Sequence, residues 1–125
     1  MKALVLVDMQ NDFMPGGALA IKRGDMILPI INRLLSYPFD FIIATMDIHP
    51  PKHGSFAATH GKEPGEVIFL DGLKQILWPI HCVRGTYGAE LCAGWDHSKI
   101  NMIIEKGVDI NVDILNNLVQ AAAIL

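Results

Sequence analysis

Asp47-Ile48-His49-Pro50-Pro51-Lys52-His53, followed by Trp78-Pro79-Ile80-His81, places one carboxylate and three imidazoles on two proline-stiffened loops. Imidazole nitrogen and carboxylate oxygen together suit a divalent cation, and such a set does not by itself choose among zinc, iron and manganese. Proline fixes φ and forces the residue before it to be extended, so a ligand flanked by prolines has little further freedom to lose on binding. A lone histidine in a surface loop is ordinarily just solvated. Four candidates together, Asp47, His49, His53 and His81, outweigh that reading and predict one divalent-metal site.

The elements that must position these groups are legible in outline. Residues 3–7 (Ala-Leu-Val-Leu-Val) form a continuous apolar run suited to a strand covered on both faces, and the run ends at Asp8. After the loop Met14-Pro15-Gly16-Gly17, Asp25 is expected to cap a helix whose apolar positions Ile27, Leu28, Ile31, Leu34 and Leu35 recur at helical spacing, with Tyr37-Pro38 as its stop. Residues 41–45 read as a second buried strand, with Asp47 and His49 just past its carboxyl end, so the order is β-α-β. The stretch 50–65 reads as a long loop. Residues 73–77 are too short to assign, and Gly85-Thr86-Tyr87-Gly88 is turn-rich. Residues 101–104 give a third strand, closed by Glu105-Lys106-Gly107, and Asp113 is expected to cap a helix carrying Ile114, Leu115, Leu118, Val119 and Ala122. Asp8, the Asp47/His49 pair and Lys106 thus each follow a strand. In open parallel sheets the ligand crevice lies outside the carboxyl ends of the strands, where these groups would converge.

Composition narrows the function classes. At 125 residues the chain fits one domain with a buried core. Hydrophobic residues make up 51% and charged residues 18%, which suggests a sheet buried on both faces or a homo-oligomer. A net charge of −3 supplies no broad basic field, so nucleic acid and anionic membrane are not the expected partners and a small molecule is. Asp8 interrupts the apolar run after Met1-Lys2 too early for a secretion signal, and no window approaches the roughly 20 apolar residues of a membrane span. Cys82 and Cys92 are too few for a disulfide framework, which makes a reducing cytoplasm the expected location.

Several stretches, in this order and spacing, resemble the nicotinamidases of the isochorismatase-like cysteine hydrolase superfamily. They are Leu4-Val5-Leu6-Val7-Asp8-Met9-Gln10-Asn11-Asp12-Phe13, Pro15-Gly16-Gly17-Ala18-Leu19, the run from Thr45 to Phe56, Trp78-Pro79-Ile80-His81-Cys82-Val83 with Gly85-Thr86, and Glu105-Lys106-Gly107. The resemblance runs from Met1 to about Asp113. It implies a Rossmann-like, doubly wound α/β parallel sheet with helices on both faces, and hydrolysis of nicotinamide to nicotinic acid and ammonia in pyridine-nucleotide salvage. Carried over residue by residue, Asp8 and Lys106 match the aspartate and lysine of the catalytic triad. Asp47, His49, His53 and His81 match the metal ligands, with zinc expected before iron or manganese, and Phe13 and Trp78 match the aromatic residues flanking the pyridine ring.

The physical logic of such a triad stands apart from the name. A thiol is a weak nucleophile near neutral pH, a carboxylate can accept its proton, and a lysine cation can stabilise the thiolate. The family's nucleophilic cysteine lies after the lysine in a segment resembling Ala-Thr-Asp-Tyr-Cys-Val, and no such segment follows Lys106 here. Residues 1–113 are therefore expected to be the N-terminal part of one such domain. Residues 114–125 read as a divergent tail of the kind a frameshift produces, with hydrolysis impaired. The alternative expectation is a metal- or pyridine-binding remnant without catalysis. Cys82 beside His81 is ordinary for the motif without being the nucleophile, and Cys92 reads as a small buried hydrophobe.

Overall fold

In the computed structural model the described residues are 1–111; the helix expected after Asp113 and the tail over 114–125 lie outside them. The apolar run forms strand β1 (Ala3–Val7), and α1 (Leu28–Leu34) returns the chain to β2 (Phe41–Asp47). A hairpin of β3 (Val67–Leu70) and β4 (Leu73–Ile76) interrupts the path before β5 (Met102–Lys106). The main sheet has the order β1-β2-β5 and is parallel throughout, with Val7 opposite Thr45 and Asp47 opposite Lys106. This is the α/β arrangement expected. Strands two and three run past their expected ends, to Asp47 and Lys106, because pairing with each other satisfies backbone groups that an isolated run would leave to water.

The helix departs from expectation. Asp25 caps nothing: Gly24–Ile27 form a 3₁₀ turn entered by Arg23 at φ 61°, and the α-helix proper spans only seven residues. Pro29 sits in its first turn, where a missing N–H costs nothing, and this defines the start better than Asp25 does. The loop over 50–65 holds one 3₁₀ turn, Ala57–His60. The unassigned residues 73–77 are mostly β4, and β3 forms where the sequence reading expects no strand. Asp71 and Gly72 join them at φ 49° and 81°, the paired positive values that a two-residue hairpin turn demands.

The core lies on one side of the main sheet. Leu6 and Ile42 meet Ile31 and Leu35 of the helical segment, with Met9, Cys92 and Trp95 completing the cluster. On the other side Val5, Val7, Met102 and Ile104 are about half exposed, so among the described residues helical cover is present on one face. No helix among them is long and apolar enough to cross a membrane.

Because Ile31 is 2% exposed within that cluster while neighbouring Ile30 is 49% exposed, truncating each separates packing from helix propensity. Ile31→Ala is expected to lower stability by about 2–5 kcal/mol in urea denaturation, and Ile30→Ala to change it by no more than about 0.5 kcal/mol.

Candidate metal and acid–base site

The carboxyl ends of the three strands supply the centre. Asp8 follows β1 at φ 53°, a left-handed conformation that aspartate tolerates better than most residues, and this turns the chain out of the sheet. Its carboxylate accepts a hydrogen bond from Thr45 Oγ1 at 2.7 Å, and its other oxygen lies 2.7 Å from Lys106 Nζ. Lys106, from β5, also donates to Asp47 Oδ1 at 2.6 Å. One buried ammonium thus spans two carboxylates.

The second oxygen of Asp47 faces away from Lys106. It lies 3.5 Å from His49 Nε2 and 4.0 Å from His81 Nε2. The ligand atoms of Asp47, His49 and His81 all fall within 4.8 Å of one another, and all three residues are buried. The Nδ1 edges explain why these nitrogens point inward. His49 Nδ1 is 2.9 Å from the Gly107 carbonyl and His81 Nδ1 is 2.8 Å from the Pro79 carbonyl. A carbonyl can only accept, so each Nδ1 carries the proton and each Nε2 keeps its lone pair. Asp47 Oδ2 and His81 Nε2 are fully buried with no hydrogen-bond partner. Burying a carboxylate oxygen and an imidazole nitrogen without partners is costly, and a divalent cation between them would satisfy both. The donor set fits zinc or another cation that accepts mixed nitrogen and oxygen ligands.

Electrostatics favour the same arrangement. Burial would raise the Asp47 carboxyl, but the neighbouring His49 and the hydrogen bond and charge of Lys106 outweigh it and hold the group below its usual range. Burial would likewise lower the Lys106 ammonium, yet the hydrogen bonds and charges of Asp47 and then Asp8 hold it above its usual value. Burial pushes the His81 imidazole down, toward the neutral form that ligates metal.

Not every expected residue converges equally. His53 is buried and its ring stacks on His49 at 4.2 Å between centroids, but it stands outside the group of three converging ligands. Its Nδ1 lies 2.7 Å from Ser55 Oγ and accepts the Ser55 amide at 3.2 Å. Phe13 meets the His81 ring edge-on at 5.9 Å, beside the candidate ligand group. Trp78 pairs by its backbone with Phe56, and its buried indole Nε1 lacks a partner. The two cysteines are buried. Burial, followed by the charges of Asp47, Asp12 and Asp8, pushes the Cys82 thiol far above the usual thiol range, the opposite of what a nucleophile needs.

Gln10 has a role that spacing does not announce. It is completely buried, accepts the Asp47 amide at 2.8 Å, and donates to the carbonyls of Asp47 at 2.7 Å and Ala89 at 2.8 Å. Once Asp8 has turned the backbone away, this carboxamide replaces the missing strand beside Asp47.

No family model matches the chain. A curated nicotinamidase from Acinetobacter baylyi is 46% identical over 120 residues, covering 95% of this chain and 56% of that protein. The solved yeast nicotinamidase Pnc1p bound to the inhibitor nicotinaldehyde superposes with a TM-score of 0.81 at 29% identity, over 98% of this chain and 71% of the other. The pyrazinamidase of Pyrococcus horikoshii in complex with zinc gives 0.64 at 31% identity, over 97% and 64% respectively. The chain spans about half the length of the curated relatives it matches.

Removing the shared cation tests the ion-pair network. In chelator-treated protein at neutral pH, Lys106→Met leaves two carboxylates facing each other and is expected to cost about 3–5 kcal/mol in urea denaturation. Asp47 titrates lower folded than unfolded, so its stabilisation is present above about pH 3.9 and is lost as the pH falls through the folded value. Lys106 titrates higher folded than unfolded, so its share is complete below about pH 10.4 and is lost as the pH rises through the folded value. The gap between wild type and variant should therefore close in strong acid and in strong alkali.

Proposed function

Because the chain belongs to the nicotinamidase family over the stretch it spans, we propose that this centre is the metal-binding and proton-transfer part of an amide hydrolase converting nicotinamide to nicotinic acid and ammonia. The observation that carries the reading is Asp47 itself, with one oxygen on the Lys106 bridge to Asp8 and the other buried, unpartnered, against His49 and His81. Nicotinaldehyde in one related structure and zinc in another support a pyridine ligand and a zinc ion here.

Asp47, His49 and His81 would hold the ion, with His53 as a fourth ligand once its Nδ1 donates to Ser55 Oγ instead of accepting from the Ser55 amide. Bound there, zinc would supply Lewis acidity toward a ligand nitrogen. Phe13 lies against His81, where an aromatic ring would shape a slot for a flat heterocycle. Asp8 accepts the proton of the attacking nucleophile and returns it to the departing ammonia, while the Lys106 ammonium, 2.7 Å from its Oδ2, holds that carboxylate in place. Neither cysteine is placed or poised to be that nucleophile: both are buried, and burial pushes the Cys82 thiol far above the usual thiol range.

That last observation favours a second reading, in which the chain binds metal and pyridine without turnover. Ammonia release from nicotinamide by the zinc-loaded protein separates the two. Under the first reading impaired but measurable turnover is expected, cut at least about 100-fold further by Asp8→Asn, the usual scale for losing an acid–base group, and unaffected by Cys82→Ala. Saturable nicotinamide binding with no ammonia would move the assignment to the second. Both readings require zinc binding in competition with a chromophoric chelator. His49→Ala should weaken it by more than about 100-fold, beyond the range seen for groups that only orient a ligand.

A further inference from the structure

In the stretch after β1, Gln10 braces Asp47 and Asp8 meets Lys106, but the carboxylate of Asp12 has no part in the chemistry above. We propose that Asp12 is a positioning residue for metal binding, a strut that holds His81 and His49 in ligating geometry through the peptide groups of Cys82. The proposal rests on the metal reading of the site.

Cys82 directly follows ligand His81, is completely buried, and sits at φ 46°. A side chain with a Cβ rarely adopts that conformation, so something must maintain it. Asp12 Oδ2 accepts the Cys82 amide at 2.7 Å, and because that amide belongs to the peptide plane linking His81 to Cys82, the bond sets the orientation of the His81 backbone. The left-handed turn sends the Cys82 carbonyl the other way, where it accepts the His49 amide at 2.9 Å. One strained residue therefore ties two imidazole ligands from separate loops, and Asp12 is the side chain that holds it.

The surroundings are built for that carboxylate. Asp12 Oδ1 accepts the Ala18 amide at 3.2 Å, and the Asp12 carbonyl accepts the Leu19 amide at 3.0 Å, so the strut is fixed at its own end. Gly88 is not among the glycines with positive φ, so its value is not conformational freedom. A Cβ there would overlap the Asp12 carboxylate. Glycine at 88 is the space the strut occupies.

The alternative is that Asp12 merely adds negative charge near a cation, and substitutions in the whole chain separate the two, with Zn²⁺ affinity by chelator competition and the visible spectrum of bound Co²⁺ as readouts. Asp12→Ala is expected to weaken Zn²⁺ binding about 10- to 100-fold, the range for partners that orient ligands, and to alter the Co²⁺ spectrum as the imidazoles loosen. Asp12→Asn keeps an oxygen for the Cys82 amide but turns its NH₂ toward the Ala18 amide, so it should lose less than about tenfold and bind clearly better than Asp12→Ala. Gly88→Ala should match Asp12→Ala, and combining them should add little, because both remove one contact. Cys82→Gly should recover part of the binding in the Asp12→Ala background, since glycine adopts that φ without strain. The rescue guards against a simple folding defect in either single variant. Asparagine binding as poorly as alanine would overturn the strut in favour of charge, and Asp12→Ala binding like wild type would overturn it outright. Wild type failing to bind either ion would instead overturn the metal reading beneath it.

Discussion

Everything at this centre depends on how one buried carboxylate divides its two oxygens. Asp47 gives Oδ1 to Lys106 and leaves Oδ2 to His49 and His81. A buried ion pair repays its desolvation only with good geometry and satisfied lone pairs, and here the second lone-pair set is satisfied only if a cation arrives. The lysine side and the imidazole side are therefore not neighbours by accident of folding. They share an atom group, and whatever moves Asp47 moves both.

The short segment closing β5 serves both sides as well. Lys106 reaches Asp47 and Asp8, and the next carbonyl, that of Gly107, orients His49. Gly107 has φ 66°, and a Cβ there would stand 2.5 Å from His49 Cε1. Glycine is required on both counts, conformation and space. A lysine followed directly by glycine at a strand end thus becomes a compact device: charge to one side, a carbonyl to the other, no side chain between.

How much of this was legible in the sequence follows from which interactions are local. The strands over 3–7 and near 41–45 announced themselves as apolar runs, and Asp8, Asp47, His49 and Lys106 followed from lying just beyond strand ends. His81 was found from the Trp78-Pro79 pattern rather than from any element. Helix α1 was misjudged at its start because Asp25 has the chemistry of a cap while the backbone at Arg23 had already chosen a 3₁₀ turn. The β3–β4 hairpin was missed although Asp71-Gly72 is a strong turn signal, its flanking runs being short and interrupted by charge. Gln10 and Asp12 were invisible for a different reason. Their partners lie 37 and 70 positions away, and no periodicity encodes a side chain that imitates a strand or props a distant loop.

The pairing of β2 with β5 has one more implication, for how the chain finds its fold. Asp47 faces Lys106 in the observed register, and Met46 faces Glu105. Parallel strands of branched apolar residues offer little to choose between alignments, yet a slip of one position would set either Glu105 or Gly107 against the buried Asp47 and turn every side chain to the wrong face. One alignment opposes two carboxylates and the other leaves a carboxylate alone. The charges of the Asp8–Lys106–Asp47 bridge thus also act as the proofreading mark of the sheet, so that a correctly zipped β5 and an assembled bridge are a single event.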